Sequence, residues 1–542
     1  MEMPSSKTLG KLLEEIAAKY PTNTAIVHDG RQFTYEALNS EVDRAARSLL
    51  ALGLRRGDPI AALIGNQPEW MIVCFAIARI GGILVPLSTW YRSTELDWVL
   101  RHTGAAALVC VDSFLGHNYS ADLNVLIPEL ATSKPGELYA EGYPALRSVV
   151  VLGAASPGTY SWKHFLDIGR NTTAESLGGA VEAVMAEDVV FILYTSGSTA
   201  EPKGVTLKHR GVVENSFGIG ERRGIRSSDR VWLGSPLFYA LGAVNAMPAT
   251  VTHGATLVLQ GHFTAALAIE TIQRERATIF YGTSNMIRAI VDDPTYSKVK
   301  MQSLRGGAAG ISTAERRILI EDIGAMQATP SYGLTETYGN ATGGFTSDSM
   351  PLKLSTAGTA LPGFELRIVD PDTRRALPVG QSGLLLIRGY VTDSYFKNPE
   401  ETARAIDSDG WFDTGDLGSI DGDGYFRFEA RVKEIIKVGG INVSPLEVEQ
   451  LLLKHPSIRQ AYVIGIPDAR SGEKVVAVVV SPTGFEESDL RAHLRETAAS
   501  FKVPRHFLLR TDAEIPRLAS GKVARLRLRA EAIDEIGKIS KD

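Results

Sequence analysis

The sequence predicts an α/β protein. Mostly parallel sheets carry helices on both faces, a small antiparallel or barrel-like unit follows, and a compact α+β unit closes the chain. Three observations predict it. Over residues 1–110 apolar, β-branched runs alternate with helix-period segments, a rhythm that lays parallel strands side by side under helices. From about Pro362 the runs shorten and turn residues separate them. After Arg431 helix and strand signals return within a span about the length of one small domain.

Taken in order, the N-terminal MEMPSSKTLGKLLEEIAAKY reads as an amphipathic helix. It carries acids and lacks an apolar core segment, so it is not a signal peptide. Phe33-Thr34-Tyr35 precedes a helix with Leu38, Val42, Ala45 and Leu49 on one face, ended by Leu52-Gly53-Leu54. Ile60–Ile64 is a buried strand, helix follows from about Glu69, and Gly82–Leu87 is the next strand. The rhythm resumes at Val231–Leu233, Thr256–Leu259 and Ala277–Tyr281. Glu365–Val369, Gly383–Arg388 and Tyr425–Phe428 form the antiparallel unit. A helix from Pro445, strands at Gln460–Ile464 and Lys474–Val480 and a helix near 487–498 make the last unit. The boundary falls in the polar segment Arg431-Val432-Lys433-Glu434, giving units at 1–430 and 435–542.

At 542 residues the chain is too long for one core. Its 44% hydrophobic and 22% charged residues mark a globular chain, and a net charge of −5 gives no reason to expect nucleic acid. Cys74 and Cys110 each lie in apolar runs, as buried thiols of a reducing compartment would. The longest apolar run, Met71 to Leu87, holds Arg79, Gly81-Gly82 and Pro86, which argues against a membrane span. A soluble, cytoplasmic protein is expected.

The first chemical stretch is Tyr194–Gly204, YTSGSTAEPKG, entered from the apolar run Val189–Tyr194. Thr195, Ser196, Gly197, Ser198 and Thr199 are small enough for backbone N–H groups to approach an anion, and their hydroxyls add donors. Lys203 adds a compact positive charge. The stretch suits a polyphosphate, although the pattern G-x-x-x-x-G-K-[ST] is not met. Four more stretches are richer in polar residues and glycine than strand ends need: SYGLTE (331–336), WFDTGD (411–416), RVKEIIKVGGINVSPLEVE (431–449) and PRLASGK (516–522). Singly, each has an ordinary explanation: Asp416 as a turn cap, Glu336 as a helix cap, Lys522 as a surface lysine.

Together, in this order and spacing, the five stretches resemble the adenylate-forming superfamily of acyl-CoA synthetases, peptide adenylation domains and beetle luciferases. The resemblance runs from FTYEAL near Phe33 to Lys522. It implies that Thr195, Ser196, Gly197, Ser198, Thr199 and Lys203 hold the β- and γ-phosphates of ATP. It further implies Thr335 at the α-phosphate and Glu336 at Mg²⁺. Tyr332 and Gly333 would flank adenine opposite Gly307-Ala308-Ala309, and Asp416 would grip the ribose hydroxyls with help from Arg431. Lys522 would bridge the α-phosphate and the substrate carboxylate. A mobile C-terminal domain would turn about Lys433 between adenylation and thioester formation. Ala200, Tyr239 and Ala430 depart from the family pattern, where glycine, histidine and glycine are usual; none removes a charged catalytic group.

The resemblance implies activation of a carboxylic acid by ATP and transfer to coenzyme A, with pantetheine passing Gly439-Gly440. Loading of a carrier protein and a non-catalytic nucleotide sensor are the alternatives, with luciferase-like oxygenation more distant. The stretches that correspond to the acyl pocket hold Phe238, Tyr239, Tyr281, Gly282, Gly306, Tyr338 and Gly339. They favour a medium-chain fatty, alicyclic or aromatic acid. They contain no basic residue to meet a second carboxylate, which argues against dicarboxylates. The residues around Lys522 also resemble a site of protein acetyltransferases, and acetylation would erase its charge.

Overall fold

The computed structural model describes residues 1–195, 202–308, 310, 313–439, 441–468, 470–482, 484–518 and 523–539. Ser196, Gly197, Ser198, Thr199, Ala200, Ala309, Gly440 and Lys522 lie outside them. Two sheets form the body. Seven strands run in the order 203–208, 189–195, 83–86, 59–63, 107–111, 148–152 and 160–161, parallel except for the first pair. Six more run 306–307, 279–281, 230–233, 256–259, 24–28 and 31–34, parallel except for the final hairpin. The central strands are apolar on both faces because helices cover both sides. Helix Tyr35–Ala51 begins where the sequence placed it: the Thr34 side chain accepts the Ala37 N–H, and Gly53 leaves the helix at φ 81°.

The antiparallel unit after Pro362 is a four-stranded meander, Phe364–Val369, Gly383–Gly389, Phe412–Ile420 and Phe426–Arg431. One turn of 3₁₀ helix, Val432–Glu434, leads from it into the C-terminal sheet, whose strands begin at Ile436. That sheet buries its own two apolar clusters, built from residues between Ile436 and Ile536, whereas the clusters of the body end at Phe426. Cys74 and Cys110 are buried free thiols. Among the described residues no helix is long and apolar enough to cross a membrane.

Candidate active site

A cleft of about 2570 Å³ opens between the body and the C-terminal sheet. Its floor gathers side chains from stretches far apart in sequence. Strands Phe412–Ile420 and Phe426–Arg431 pair with Asp416 opposite Arg431. The Asp416 carboxylate is 1% exposed, and the Tyr332 hydroxyl donates to its Oδ2 at 2.5 Å. Arg431 Nε stands 3.3 Å from Oδ1, which has no hydrogen-bond partner. Burial raises the Asp416 pKa, opposed by the Arg431 charge and the Tyr332 hydrogen bond. Burial, then the neighbouring Asp416, pushes the Tyr332 phenol well above its usual range. The Tyr332 ring is fixed against Phe426 and Phe428, centroids 5.0 and 6.1 Å away.

The opposite end of the floor is a hairpin. Strands Val189–Thr195 and Lys203–Lys208 pair antiparallel, with Thr195 facing Lys203, so residues 196–201 join the two strand ends. The Lys203 ammonium pairs with Glu401 and lies 5.3 Å from the centre of the Tyr395 ring. Tyr395 in turn donates to Glu336 Oε1 at 2.8 Å. Burial, then the Glu336 carboxylate, raises the Tyr395 phenol. Glu336 lies in the 3₁₀ turn Thr335–Thr337, and its carbonyl accepts the Thr392 N–H at 2.7 Å. Thr335, Glu336 and Gly333 line the cleft between the hairpin and Asp416.

Gly307 shows why glycine precedes Ala308. Its φ is 144°, and a Cβ there would sit 2.2 Å from the Phe280 carbonyl oxygen. Gly306 packs beside Gln327, and Ala308 lines a smaller cavity of about 520 Å³ that shares Leu241, Thr283, Gly333 and Gly339 with the cleft. Gly282 lines that smaller cavity too. Phe238 and Tyr239 line the cleft with Trp90, their rings 5.4 and 5.6 Å from it.

Two tyrosines expected along the acyl pocket line neither cavity. Tyr338 turns its ring into the body against Gly211, and its hydroxyl accepts the Lys208 N–H at 3.0 Å. The cause is its backbone: at φ 56° it leaves the 3₁₀ turn in the left-handed region, and Gly339 follows at 87°. Tyr281 is fully buried, donating to Asn245 Oδ1 at 2.9 Å beneath the Arg223 guanidinium. Gly439 sits at φ 59° in the turn between Ile436–Val438 and Ile441–Val443, outside the described lining of the cleft. Lys433 lines the cleft, as do Arg517 and Leu518 of the stretch that leads to Lys522. Val523, just past Lys522, is bridged to Arg517.

Sequence reasoning did not single out Tyr395 and Glu401, which contact Glu336 and Lys203 at the cleft. Each stands outside the five motif stretches, and no local spacing marks it.

A cleft roomy enough for a nucleotide and a second substrate, with a buried carboxylate and a lysine-flanked strand pair on its floor, suits a nucleotide-dependent enzyme built from a large body and a small second domain. The chain belongs to the AMP-binding enzyme family: the family profile matches residues 13–396 and that of its C-terminal domain matches 447–522. Within the adenylate-forming superfamily it falls in the acyl-CoA synthetase branch, the AMP-forming acid–thiol ligases. It is 35% identical over 542 residues to the acyl-CoA ligase sidI of Aspergillus fumigatus, covering 96% of this chain and 90% of that one. It is 32% identical over 543 residues to the mitochondrial medium-chain acyl-CoA ligase ACSF2 of Danio rerio, covering 98% and 89%. The anthranilate CoA ligase AuaEII, solved with anthranoyl-AMP, superposes with a TM-score of 0.84 at 26% identity over 98% of this chain and 99% of that one. ATP-bound MatB from Rhodopseudomonas palustris gives 0.79 at 26% identity over 96% and 98%.

Proposed function

We propose that this chain condenses a carboxylic acid with ATP to an acyl-adenylate, releasing pyrophosphate, and then transfers the acyl group to coenzyme A, releasing AMP. The observation that carries this is the convergence of Tyr332, Glu336, Lys203 and Asp416 on one cleft that Arg517 and Leu518 also line. The buried Asp416 carboxylate, whose Oδ1 faces Arg431 but accepts no hydrogen bond among the described residues, suits a vicinal diol, whose hydroxyls would donate to it. Tyr332 orients that carboxylate, and Arg431 keeps it ionised against burial. Lys203 and residues 196–201 would cradle the phosphates, with Thr335 at the α-phosphate. Lys522 would meet the two anions that react, a task for a point charge.

The donor chemistry fits magnesium. Among the described residues no group of three acids, histidines or cysteines could cage an ion, whereas Glu336 offers one carboxylate beside the expected phosphates. When bound, the ion would neutralise charge on the departing pyrophosphate. Tyr395 holds the Glu336 oxygen in place for it.

The aromatic wall of Trp90, Phe238 and Tyr239 supports an acyl body with apolar surface, and buried free thiols suit a reducing, cytoplasm-like compartment. Lys433, in the turn between the two sets of cores, is the residue about which the C-terminal sheet would rotate. The test is pyrophosphate release across an acid panel, then AMP and a thioester only when coenzyme A is present. Lys522→Ala is expected to slow adenylate formation at least about 10²–10³-fold, while thioester formation from supplied acyl-adenylate survives. Pyrophosphate with no acid of the panel, or a thioester formed only on a carrier protein, would overturn the proposal.

A further inference from the structure

Arg223 follows helix His209–Arg222 and is fully buried, yet among the described residues no carboxylate pairs with it. Its guanidinium stacks on Tyr281, 4.3 Å from the ring centre, and donates to Asn245 Oδ1 at 2.9 Å and Ser331 Oγ at 3.3 Å. Those acceptors are nearly used up, since Asn245 Oδ1 also takes the Tyr281 hydroxyl. Three buried donors here have no partner among the described residues: Arg223 Nε, Asn245 Nδ2 and Asn340 Nδ2. Two of the residues that bear them, Arg223 and Asn340, border one space, and Asn245 lies behind its wall. Arg223, Asn340, Ser331 and Gly339 line the 520 Å³ cavity that adjoins the cleft. A Cβ on Gly339 would stand 3.3 Å from Asn245 Nδ2, so glycine keeps the approach open. The one acid on the cavity wall, Glu434, lies 3.8 Å from Arg525 in the C-terminal domain.

A buried cation among surplus N–H donors is costly unless an anion meets it. Desolvation alone brings the Arg223 pKa down to about 9, with no opposing charge. Position at a helix C-terminus accounts for a positive charge there, but not for the unpartnered amides that surround it.

We propose that Arg223 and Asn340, with Asn245 bracing Arg223 from behind, form an anion-accepting end to the acyl pocket, and that the acid activated here carries a second carboxylate bound at Arg223. This rests on the ligase function proposed above and names its substrate class. The four pocket stretches hold no base because the base arrives from another helix.

The full-length chain would be assayed for pyrophosphate release with coenzyme A present, using pairs of saturated mono- and dicarboxylic acids of equal length from four to ten carbons. For at least one length the dicarboxylate is expected to exceed its partner in kcat/KM by about tenfold or more. Arg223→Leu should remove about 10- to 100-fold from the dicarboxylate while leaving the monocarboxylate unchanged, and Arg223→Lys should restore part of the loss. Asn340→Leu, from the opposite wall, should lower the same preference, and serves if Arg223→Leu does not fold. Turnover of monocarboxylates with every dicarboxylate refused, or equal loss of both acids in the variants, would overturn the proposal and leave the ligase function standing. No pyrophosphate with any acid would instead sink the ligase function itself.

Discussion

The Arg459 guanidinium and the Asp292 carboxylate form an ion pair across the cleft. Asp292 ends a helix of the body, and Arg459 immediately precedes strand Gln460–Asp468 of the C-terminal sheet. With the Ser444 hydroxyl donating to the Glu429 carbonyl at 2.8 Å, the pair ties together two regions whose apolar clusters are separate. If the C-terminal sheet rotates about Lys433, this pair belongs to one orientation only. Both side chains are partly exposed, so the pair contributes about 1 kcal/mol or less. Arg459→Gln is expected to slow one half-reaction by no more than about fivefold and to leave the other unchanged. Single-turnover rates of adenylate formation and of thioester formation from supplied adenylate would show it; equal slowing of both would count against rotation.

Asp416→Asn keeps the shape of the side chain but removes its charge. The amide cannot accept at both positions, so under the proposed function the ribose hydroxyls and Tyr332 would compete for one oxygen. The KM for ATP is expected to rise about 10- to 100-fold. The KM for the acid should stay within about twofold, given that the acid touches neither group.

Tyr395→Phe deletes the hydroxyl that donates to Glu336 and leaves the ring beneath Lys203. Loss of one such bond is worth about 1 kcal/mol. The magnesium concentration for half-maximal rate should therefore rise about fivefold, with little change in the KM for the acid. A magnesium titration at saturating ATP and acid checks it; an unchanged midpoint would detach Tyr395 from the ion.

His209 carries a pH dependence of stability. Its ring is fully buried, and Nδ1 accepts the Leu9 N–H at 3.1 Å, which requires the neutral ring. Burial lowers its pKa from 6.5 to about 4, with Asp188 opposing. The folded chain thus binds fewer protons at this site than the unfolded chain between those values. The stabilisation is complete above about pH 6.5 and is lost as pH falls toward 4, up to roughly 3 kcal/mol. His209→Gln, whose amide oxygen can accept the same N–H, should lose less melting temperature between pH 7 and 5 than the parent. Parallel losses in parent and variant would show that the ring does not control this range.

The strands and helices were legible because their signals are local. Thr34 caps its helix through an atom three residues away, and the apolar runs at 59–63 and 189–195 declare themselves as strands buried on both faces. The motif stretches were legible because glycine, hydroxyl and acidic residues cluster where backbone meets ligand. That Tyr281 and Tyr338 line neither cavity was not legible, because period and motif say nothing of which way a side chain turns when the backbone enters the left-handed region or a strand lies inside the body.

The sequence by itself determined the α/β class and the family. Only the tertiary structure brought Arg223 to Asn245 and Ser331, and Tyr395 to Glu336, across separations of 22, 108 and 59 residues. Secondary structure follows from periodicities of two and 3.6 residues along the chain. The meeting of Arg223 and Asn340 at one cavity follows from sheet order and helix packing, which no single stretch encodes.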